Sequence, residues 1–286
     1  MLNNIKISFW GSSEFSIFCL EELKNLSILP NLIISTPDTR VGRGLKLAAN
    51  PVKIWAEANK ITCLTPEKLD LSFISELNKI NSDVALVASY GKIIPQEIID
   101  LPKYKILNIH PSMLPKYRGP SPLQDQILNN EKNVGVTIMQ IDKQVDHGPI
   151  IIQELLTIPN WTVNFNEFEK LTAQAGAKLF ANILPTYVAG KVTAKEQNHK
   201  EATFTKKVEK NDGLIDLEMD KPEINYLKYL AYSTWPGTFF FINKDNKKLR
   251  IIIKDAEYKD GLFLIKRVLP EGKKEMSYED FLRGLR

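Results

Sequence analysis

Long apolar segments and cysteines are scarce in this sequence, and each scarcity excludes a class of protein. No apolar run approaches the roughly 20 residues that a helix needs to span a bilayer. The first residues lead straight into the apolar stretch 5–10 without a signal-peptide pattern, so we expect a cytoplasmic protein with no membrane partner. The two cysteines, Cys19 and Cys63, are far apart and lack metal-type spacing, which favours free thiols in a reducing compartment.

Nucleotide-binding glycine motifs are also missing. The turn after the first apolar stretch reads Gly11-Ser12-Ser13-Glu14, which lacks the G-x-G-x-x-G spacing of a dinucleotide site, and no P-loop lysine is present. The net charge of +4 is modest and does not by itself identify a nucleic-acid binder. What remains is the composition of an ordinary globular protein, 43% hydrophobic and 25% charged over 286 residues, which is long enough for two domains.

Up to about residue 188, short apolar runs alternate with stretches of helical periodicity. The runs predict strands at 5–10, 32–35, 62–64, 84–88, 104–109 and 135–141, and the periodic stretches predict helices at 14–26, 51–59, 71–79, 121–128 and 165–188. Such an alternation is typical of α/β proteins. We therefore expect an N-terminal domain with a Rossmann-like, mainly parallel sheet.

After residue 189 the alternation of apolar runs and helical stretches ends. Residues 190–205 are polar and lack apolar periodicity, which predicts a surface linker. Beyond them, a short helix at 227–231 and strands at 238–242, 249–253 and 262–267 are separated by Asn, Asp and Gly turns. We therefore expect a catalytic domain at 1–189 and a smaller C-terminal β-barrel domain, OB-like, at 206–286.

Three polar residues near predicted strand ends form a candidate active site. Asn108 and His110 end the strand at 104–109, where prolines stop regular structure, and residues two apart in a strand share a face. Asp146 follows a later strand. Acyl transfer to an amine needs a donor for the tetrahedral oxyanion, a group that relays a proton, and a group that sets the charge and orientation of that relay. These three residues supply one group each.

Each of these residues alone has an ordinary structural explanation. Asn108 can satisfy a turn, His110 can be a partly buried ring, and Asp146 can cap a loop before Gly148. Their combination at the carboxyl ends of strands in an α/β sheet, where ligands usually bind, favours the functional interpretation. We assign no metal to the site, because His147 with His110 and Asp146 matches no recognised zinc spacing.

The same stretch carries a family resemblance. Asn108-Ile109-His110, followed by Leu114-Pro115-Lys116-Tyr117-Arg118-Gly119, resembles the signature of the folate-dependent formyltransferases, and Asp146 matches their separate catalytic aspartate. The resemblance implies that Asn108, His110 and Asp146 catalyse formyl transfer from 10-formyltetrahydrofolate to an amine. It also implies that the folate site includes Ser112, Met113, Leu114 and Pro115. A neighbouring stretch offers apolar surface and backbone groups for a flat pterin ring at Val87, Ala88, Ser89, Tyr90, Gly91 and Ile93.

A different segment indicates the acceptor amine. Residues 36–46 resemble the loop of methionyl-tRNA formyltransferases that meets the acceptor end of initiator tRNA, and they contain the cations Arg40, Arg43 and Lys46. The stretches 204–207, 213–216 and 235–237 look like the opening of that family's C-terminal domain. The resemblance implies that this domain assists tRNA binding, for which Lys206, Lys207 and Lys210 are candidates. We expect a monomer whose partners are initiator methionyl-tRNA and the folate co-substrate.

Two alternatives stay open at this point. The chain can be a formyltransferase that acts on an amino sugar or on another small amine such as glycinamide ribonucleotide. It can also be a noncatalytic RNA-binding protein that kept an enzyme fold, which its basic loop and second domain would suit. The chain departs from the family pattern at Gly119-Pro120-Ser121-Pro122 and at His147 after Asp146, and neither departure removes a catalytic group.

Overall fold

The computed structural model describes residues 5–41, 46–159, 161, 163–244 and 247–285, with the backbone alone at 40–41 and 46–48. The chain divides into two compact units. Unit 1 comprises residues 1–119, 133–157 and 169–204, and unit 2 comprises residues 120–132, 158–168 and 205–286. Each unit is therefore built from more than one stretch of the sequence.

The helices and strands are numbered along the chain. The helices are α1 (Glu14–Asn25), α2 (Pro51–Ala58), α3 (Leu71–Ile80), α4 (Gln96–Ile99), α5 (Pro122–Leu128), α6 (Phe165–Val188), α7 (Pro222–Ala231) and α8 (Tyr278–Arg283). The strands are β1 (Ile7–Trp10), β2 (Leu32–Ile34), β3 (Thr39–Val41), β4 (Lys46–Ala48), β5 (Cys63–Leu64), β6 (Val84–Val87), β7 (Ile106–His110), β8 (Gly135–Gln140), β9 (Ile150–Leu155), β10 (Phe239–Lys244), β11 (Lys247–Lys259), β12 (Leu262–Pro270) and β13 (Met276–Ser277). Within the described ranges, no helix is both long enough and apolar enough to cross a membrane.

Unit 1 contains a seven-stranded sheet in the order β5-β2-β1-β6-β7-β8-β9. The strands from β5 to β7 pair in parallel, whereas β8 pairs antiparallel with both β7 and β9. Two antiparallel strands at one side of an otherwise parallel sheet are common in large α/β sheets. The predicted mainly parallel α/β fold is confirmed.

Both faces of this sheet are covered, which explains why β1 and β6 are buried at every position. One face packs on α1, α2 and α6, with Phe9 and Phe180 fully buried between the layers. The other face packs on α3 and α4, where Trp10 and Ile98 are buried. Helices on both faces leave the carboxyl ends of the parallel strands as the edge at which ligands bind in such folds.

Local signals in the sequence set several helix ends. The side chain of Asn50 accepts a hydrogen bond from the backbone nitrogen of Val52 at 2.9 Å, and Pro51 occupies the first turn of α2. Asp70 caps α3 in the same way, because its carboxylate accepts from the backbone nitrogens of Ser72 and Phe73. Helices α2 and α3 therefore begin where the sequence supplies a capping oxygen, whereas the side chain of Ser121 makes no capping hydrogen bond at the start of α5.

The predicted strands and helices are all present, and α6 has the predicted bounds. The structure adds β9, the β3–β4 hairpin, α4, β13 and α8. β9 lies at the edge of the sheet and ends in exposed residues, so it lacks the sustained apolar run that marks a buried strand. The other additions are six residues long or shorter, which is too short for periodicity to be diagnostic.

Unit 2 contains a four-stranded antiparallel sheet in the order β10-β11-β12-β13. Its core includes Phe240, Ile251 and Ile253 from the inner face of β10 and β11, packed with Val268 of β12 and Phe281 of α8. The register of β11 against β12 shifts near Asp255, which bends the long strand as a β-bulge does. This antiparallel sheet is compatible with the predicted small C-terminal β domain.

Residues 190–204 belong to unit 1 although they follow α6 in the sequence. Ile150 of β9 and Lys195 exchange backbone hydrogen bonds of 2.7 and 2.8 Å. The backbone nitrogen of Arg118 donates to the carbonyl oxygen of Thr203 at 2.9 Å. The segment therefore extends the edge at β9 and supports the loop after β7, which backbone pairing achieves without any apolar periodicity.

Candidate active site

The three candidate catalytic residues meet at the carboxyl end of β7. Asn108 and His110 lie two positions apart on β7 and share one face of the sheet, while Asp146 lies in the loop between β8 and β9. Oδ1 of Asp146 is 3.5 Å from Nδ2 of Asn108 and 3.5 Å from Nδ1 of His110. The folded chain thus brings together three polar groups that the sequence separates by up to 38 positions.

Asp146 is the shared partner in this cluster. Its backbone has a φ of +50°, in the left-handed region that Asp tolerates better than most residues. Its Oδ2 accepts a hydrogen bond of 2.8 Å from the backbone nitrogen of Gly119, and only 14% of the side chain is exposed. A half-buried carboxylate with a donor at each oxygen has a fixed position and a strong field at the neighbouring groups.

The ring of His110 is oriented from both sides. Its Nε2 is 2.9 Å from the carbonyl oxygen of Tyr117, and because a carbonyl oxygen can only accept, Nε2 carries a hydrogen. Its Nδ1 faces the Asp146 carboxylate, so a proton on this nitrogen has an acceptor beside it. The pair can therefore take up a proton and pass it on within the site.

The loop after β7 is held against β8 and β9 by hydrogen bonds. The hydroxyl of Thr137 donates to the carbonyl oxygen of Ser112 at 2.6 Å, and the side chain of Gln153 donates to the carbonyl oxygen of Leu114 at 2.8 Å. The hydroxyl of Ser112 donates to the carbonyl oxygen of Lys116 at 2.7 Å. These bonds give the loop a fixed shape beside His110.

The side chains predicted to bind the folate differ in accessibility. Val87, Ala88, Tyr90, Ser112 and Leu114 are buried, so their side chains are not accessible to a ligand at the surface. Met113 and Pro115 are half-buried, whereas Ser89, Gly91 and Ile93 are exposed, Ile93 by 83%. Ser89 and Gly91 both have positive φ values, which turn the chain sharply just after β6. The accessible part of this segment is therefore its tip and its backbone.

Comparisons with known proteins identify the family. A profile described as Formyl transferase matches residues 10–184. A methionyl-tRNA formyltransferase from Sulfurihydrogenibium sp. is 31% identical over 98% of this chain and 97% of its own length, and one from Chloroflexus aurantiacus is 36% identical over 90% and 82%. The chain belongs to the methionyl-tRNA formyltransferase family. The expectation of a formyltransferase enzyme is confirmed.

A solved structure shares the fold of this family member. HypX from Aquifex aeolicus, in complex with tetrahydrofolic acid, superposes with a TM-score of 0.67 at 15% sequence identity. The superposition covers 98% of this chain and 47% of HypX, so this chain spans about half the length of that protein. At this identity the likeness describes the fold alone.

Three polar side chains of this formyltransferase form hydrogen bonds with one another beside the candidate catalytic residues. The guanidinium of Arg118 donates from Nε and Nη2 to Oε1 of Gln197 at 3.1 and 2.6 Å, and Nη2 lies 2.9 Å from Nδ1 of His199. Gln197 in turn donates to the carbonyl oxygen of Asp146. Arg118 lies in the family motif, but Gln197 and His199 lie in the polar stretch 190–205, where no sequence signal marks them.

His147 has its own partners. Its Nδ1 is 2.7 Å from Oδ2 of Asp142, and its ring stacks in parallel on that of His199 with centroids 4.0 Å apart. No group of three or more ligating side chains that could hold a metal ion occurs in the part of the chain that the structure describes. The carboxylate partner of His147 is therefore Asp142, whereas Asp146 contacts Asn108, His110 and Gly119.

The residues predicted to contact tRNA lie in two separate groups. Arg40 and Lys46 lie on the β3–β4 hairpin, where the backbone alone is described, and Arg43 lies outside the described residues. Lys206, Lys207 and Lys210 are exposed at the start of the C-terminal stretch of unit 2. The first group therefore lies on or between the two strands of the β3–β4 hairpin in the sequence, and the second lies in unit 2.

Proposed function

We propose that this chain transfers the formyl group of 10-formyltetrahydrofolate to the α-amine of methionyl-initiator tRNA, as a cytoplasmic monomer that serves translation initiation. The observation that carries the chemistry is the position of the Asp146 carboxylate, within 3.5 Å of both the Asn108 amide and the His110 imidazole. The observation that carries the substrate is the 31% identity over nearly the whole chain with relatives named for that activity.

The amide of Asn108 has two N–H donors, and only one of them points to Asp146. The second is available to the oxyanion that forms when the amine attacks the formyl carbon. A well-placed donor of this kind stabilises such a transition state by about 3 to 4 kcal/mol. Asn108 therefore supplies the electrostatic part of catalysis.

His110 and Asp146 carry out the proton transfer. The attacking amine must lose a proton as its bond to the formyl carbon forms, and the departing folate nitrogen must gain one as its bond to that carbon breaks. His110 passes the proton from the amine nitrogen to the folate nitrogen. The Asp146 carboxylate meanwhile orients the imidazole ring and balances its positive charge. No bond between the protein and the formyl group is needed.

The folate fits the surface beside these residues. 10-Formyltetrahydrofolate supplies the formyl carbon. The exposed tip at Ser89, Gly91 and Ile93 follows β6, and β6 pairs with β7 so that Val87 lies opposite Asn108. The pterin ring of the folate lies against this tip and against the loop at Met113 and Pro115. In that position the reactive end of the folate is near β7.

The tRNA contacts belong to the cations Arg40, Arg43 and Lys46 and to Lys206, Lys207 and Lys210. We assign residues 206–286 as the tRNA-binding domain, with an OB-like arrangement of its strands. Contacts of lysine and arginine with phosphates are independent of sequence and weaken as salt rises. The Michaelis constant for tRNA should therefore rise with ionic strength, while that for folate changes less.

One assay tests the proposal. Purified protein is incubated with 10-formyltetrahydrofolate labelled in the formyl group and with charged initiator tRNA, charged elongator methionyl-tRNA, or a small amine such as an amino sugar. Label on methionyl-initiator tRNA in preference to the other two supports the proposal. Label only on the small amine would instead make the chain a small-molecule formyltransferase. Tight tRNA binding without any formyl transfer would identify a noncatalytic RNA-binding protein.

The basic loop has its own test. Arg43→Ala should raise the Michaelis constant for methionyl-initiator tRNA about tenfold, which corresponds to the loss of one charge-assisted contact. Folate binding should stay unchanged. Lys178→Ala is the matched control, because Lys178 lies on α6, outside both groups of proposed tRNA contacts, and already pairs with Glu22 at 3.5 Å. A selective loss of folate affinity in Arg43→Ala would contradict the assignment of this loop to tRNA.

A further inference from the structure

Gln197 links the backbone of the loop that carries Asp146 to the buried guanidinium of Arg118. Its Nε2 donates to the carbonyl oxygen of Asp146 at 2.9 Å and to that of Gly148 at 2.7 Å. Its Oε1 accepts two hydrogen bonds from Arg118. The side chain of Gln197 is therefore fully used, and the residue is only 5% exposed.

The backbone conformation of the loop at Asp146 needs hydrogen bonds from another segment to stabilise it. Asp146 has a left-handed backbone, which costs free energy for any residue with a Cβ and persists only when neighbours impose it. Two residues later, the chain passes so close to the end of β8 that a Cβ at Gly148 would lie 2.1 Å from the carbonyl oxygen of Gln140. Gln197 contacts the chain at both of these points.

Arg118 strengthens this contact. It is 3% exposed, and burial lowers the pKa of its guanidinium, while the negative charges of Asp146 and Asp142 act in the opposite direction. Two donors from a cation on Oε1 polarise the amide of Gln197, so its N–H groups become better donors to the two carbonyl oxygens. The planar fork of arginine matches this geometry, which a lysine cannot reproduce.

We infer that Gln197 is a positioning residue for formyl transfer, which fixes the backbone at Asp146 and thereby sets the carboxylate beside His110. Gln197 contacts no reacting atom in this arrangement. Its effect passes through the loop that carries Asp146. The inference rests on the proposed function, because it takes Asp146 to be part of the catalytic machinery.

The test compares three variants of the full chain. Gln197→Met keeps the length of the side chain but has no polar group. Gln197→Glu keeps an acceptor for Arg118 but, when ionised, has no hydrogen to donate to the two carbonyl oxygens. Asn198→Ala is the control, since Asn198 is exposed and its side chain bonds to Glu201 at 2.7 Å.

We expect kcat for methionyl-initiator tRNA to fall by about 10- to 100-fold in both Gln197 variants, as a misplaced catalytic group produces. The Michaelis constants for folate and tRNA should change little, because neither substrate touches Gln197, and Asn198→Ala should behave as the unmodified chain. A second readout needs no substrate. The chain has three histidines, so the ring signals of His110 can be assigned by nuclear magnetic resonance with His147→Gln and His199→Gln. These signals should shift in Gln197→Met although the two residues do not touch.

A folded Gln197→Met with unchanged kcat and an unchanged His110 signal would overturn the inference. If Gln197→Met does not fold, Gln197→Glu decides in its place, because it retains the contact with Arg118. A parallel rise in the Michaelis constants with constant kcat would also overturn it. If the unmodified chain does not formylate methionyl-tRNA, the proposed function fails, and the His110 signal alone then decides whether Gln197 positions Asp146.

Discussion

Burial changes the proton affinity of single side chains outside the candidate active site. Glu169 on α6 is 9% exposed, and the pKa of its carboxyl is raised from 4.5 to about 7, chiefly because burial penalises the charge and also because Glu14 is negative. Burial also raises the pKa of the Cys63 thiol to about 11 and that of Cys19 well above its usual range. Both cysteines are free, as the sequence predicts, and both are weak nucleophiles at neutral pH.

Glu169 should make the stability of unit 1 depend on pH. Because its pKa is higher in the folded chain than in the unfolded chain, the folded state binds the proton more tightly, and stability falls as pH rises from about 4.5 to about 7. Above that range the cost is about 3 kcal/mol. Glu169→Gln should therefore stabilise the protein at pH 8 and have little effect at pH 4, as measured by urea unfolding. Glu167→Gln, at an exposed position of the same helix, is the control. An equal effect of Glu169→Gln at both pH values would contradict this account.

Asp146→Asn tests the catalytic cluster at the residue scale. Asparagine keeps the shape and can still accept from Gly119, but it lacks the charge beside His110. We expect kcat to fall by about 10²- to 10⁴-fold, while folding and tRNA binding stay intact. The matched control is Asp142→Asn, because Asp142 pairs with His147 and not with His110. Near-normal kcat for Asp146→Asn would remove Asp146 from the mechanism.

The sequence identifies the groups that carry distinctive chemistry but not the groups that hold them. Asn108, His110 and Asp146 are predictable because an amide, an imidazole and a carboxylate near strand ends are an unusual combination. Gln197 is not predictable, because a single glutamine in a polar stretch has many ordinary explanations. Its role arises only when residues 190–204 fold back on the loop 51 positions earlier in the chain.

Helix α6 and strand β7 meet at a glycine. A Cβ at Gly176 would lie 2.3 Å from Cγ2 of Ile109, the residue between Asn108 and His110. Close packing of the helix therefore fixes the position of β7 at the point where the strand carries Asn108 and His110. Gly176 is in a helix interior, where glycine is otherwise unfavourable by up to about 1 kcal/mol relative to alanine, so close packing explains its presence.

Gly176→Ala should destabilise unit 1 by about 1 to 3 kcal/mol, because the added methyl group overpacks the interface. Ile109→Leu removes the γ2 methyl group that clashes, so the double variant should recover part of the loss. Denaturant unfolding of the two single variants and the double variant measures this coupling. Strictly additive effects would show that Ile109 is not the residue that limits the space.

At the scale of elements, periodicity over a long segment is the most reliable signal. Helix α6 is predicted with its observed bounds because its apolar stripe continues over six turns. Strand β9 is missed because it is an edge strand, and α4 because four residues carry too little pattern. The predicted strand at 249–253 lies in the first half of β11, whose exposed end continues to Lys259. Strand ends beyond the core lack the apolar residues on which the prediction depends.

At the scale of the whole molecule, each compact unit combines stretches that are separated in the sequence. Helix α5 belongs to unit 2, where it packs against α7, although the strands on either side of it in the sequence belong to unit 1. Four of the seven residues of α5 are buried: Pro122, Leu123, Gln126 and Ile127. Sequence patterns indicate two cores, but they do not show which core a short helix joins, since its apolar residues suit either.

A truncated chain that ends at residue 204 should therefore be poorly folded. It lacks α7 and the C-terminal sheet, so α5 and residues 158–168 lose the unit to which they belong. We expect this fragment to aggregate or to bind a hydrophobic dye more strongly than the full chain, as judged by gel filtration and dye fluorescence. A monodisperse, cooperatively unfolding fragment would show that unit 1 needs nothing from the C-terminal stretch.

The split composition of unit 2 also imposes an order on its synthesis. Helix α5 leaves the ribosome first, and roughly 90 further residues must be translated before α7 begins, which takes about 5 to 20 seconds at usual elongation rates. During that interval the apolar side of α5 has no permanent neighbour. The nascent chain of this enzyme therefore exposes the apolar residues of α5, to which chaperones can bind, until α7 has been synthesised.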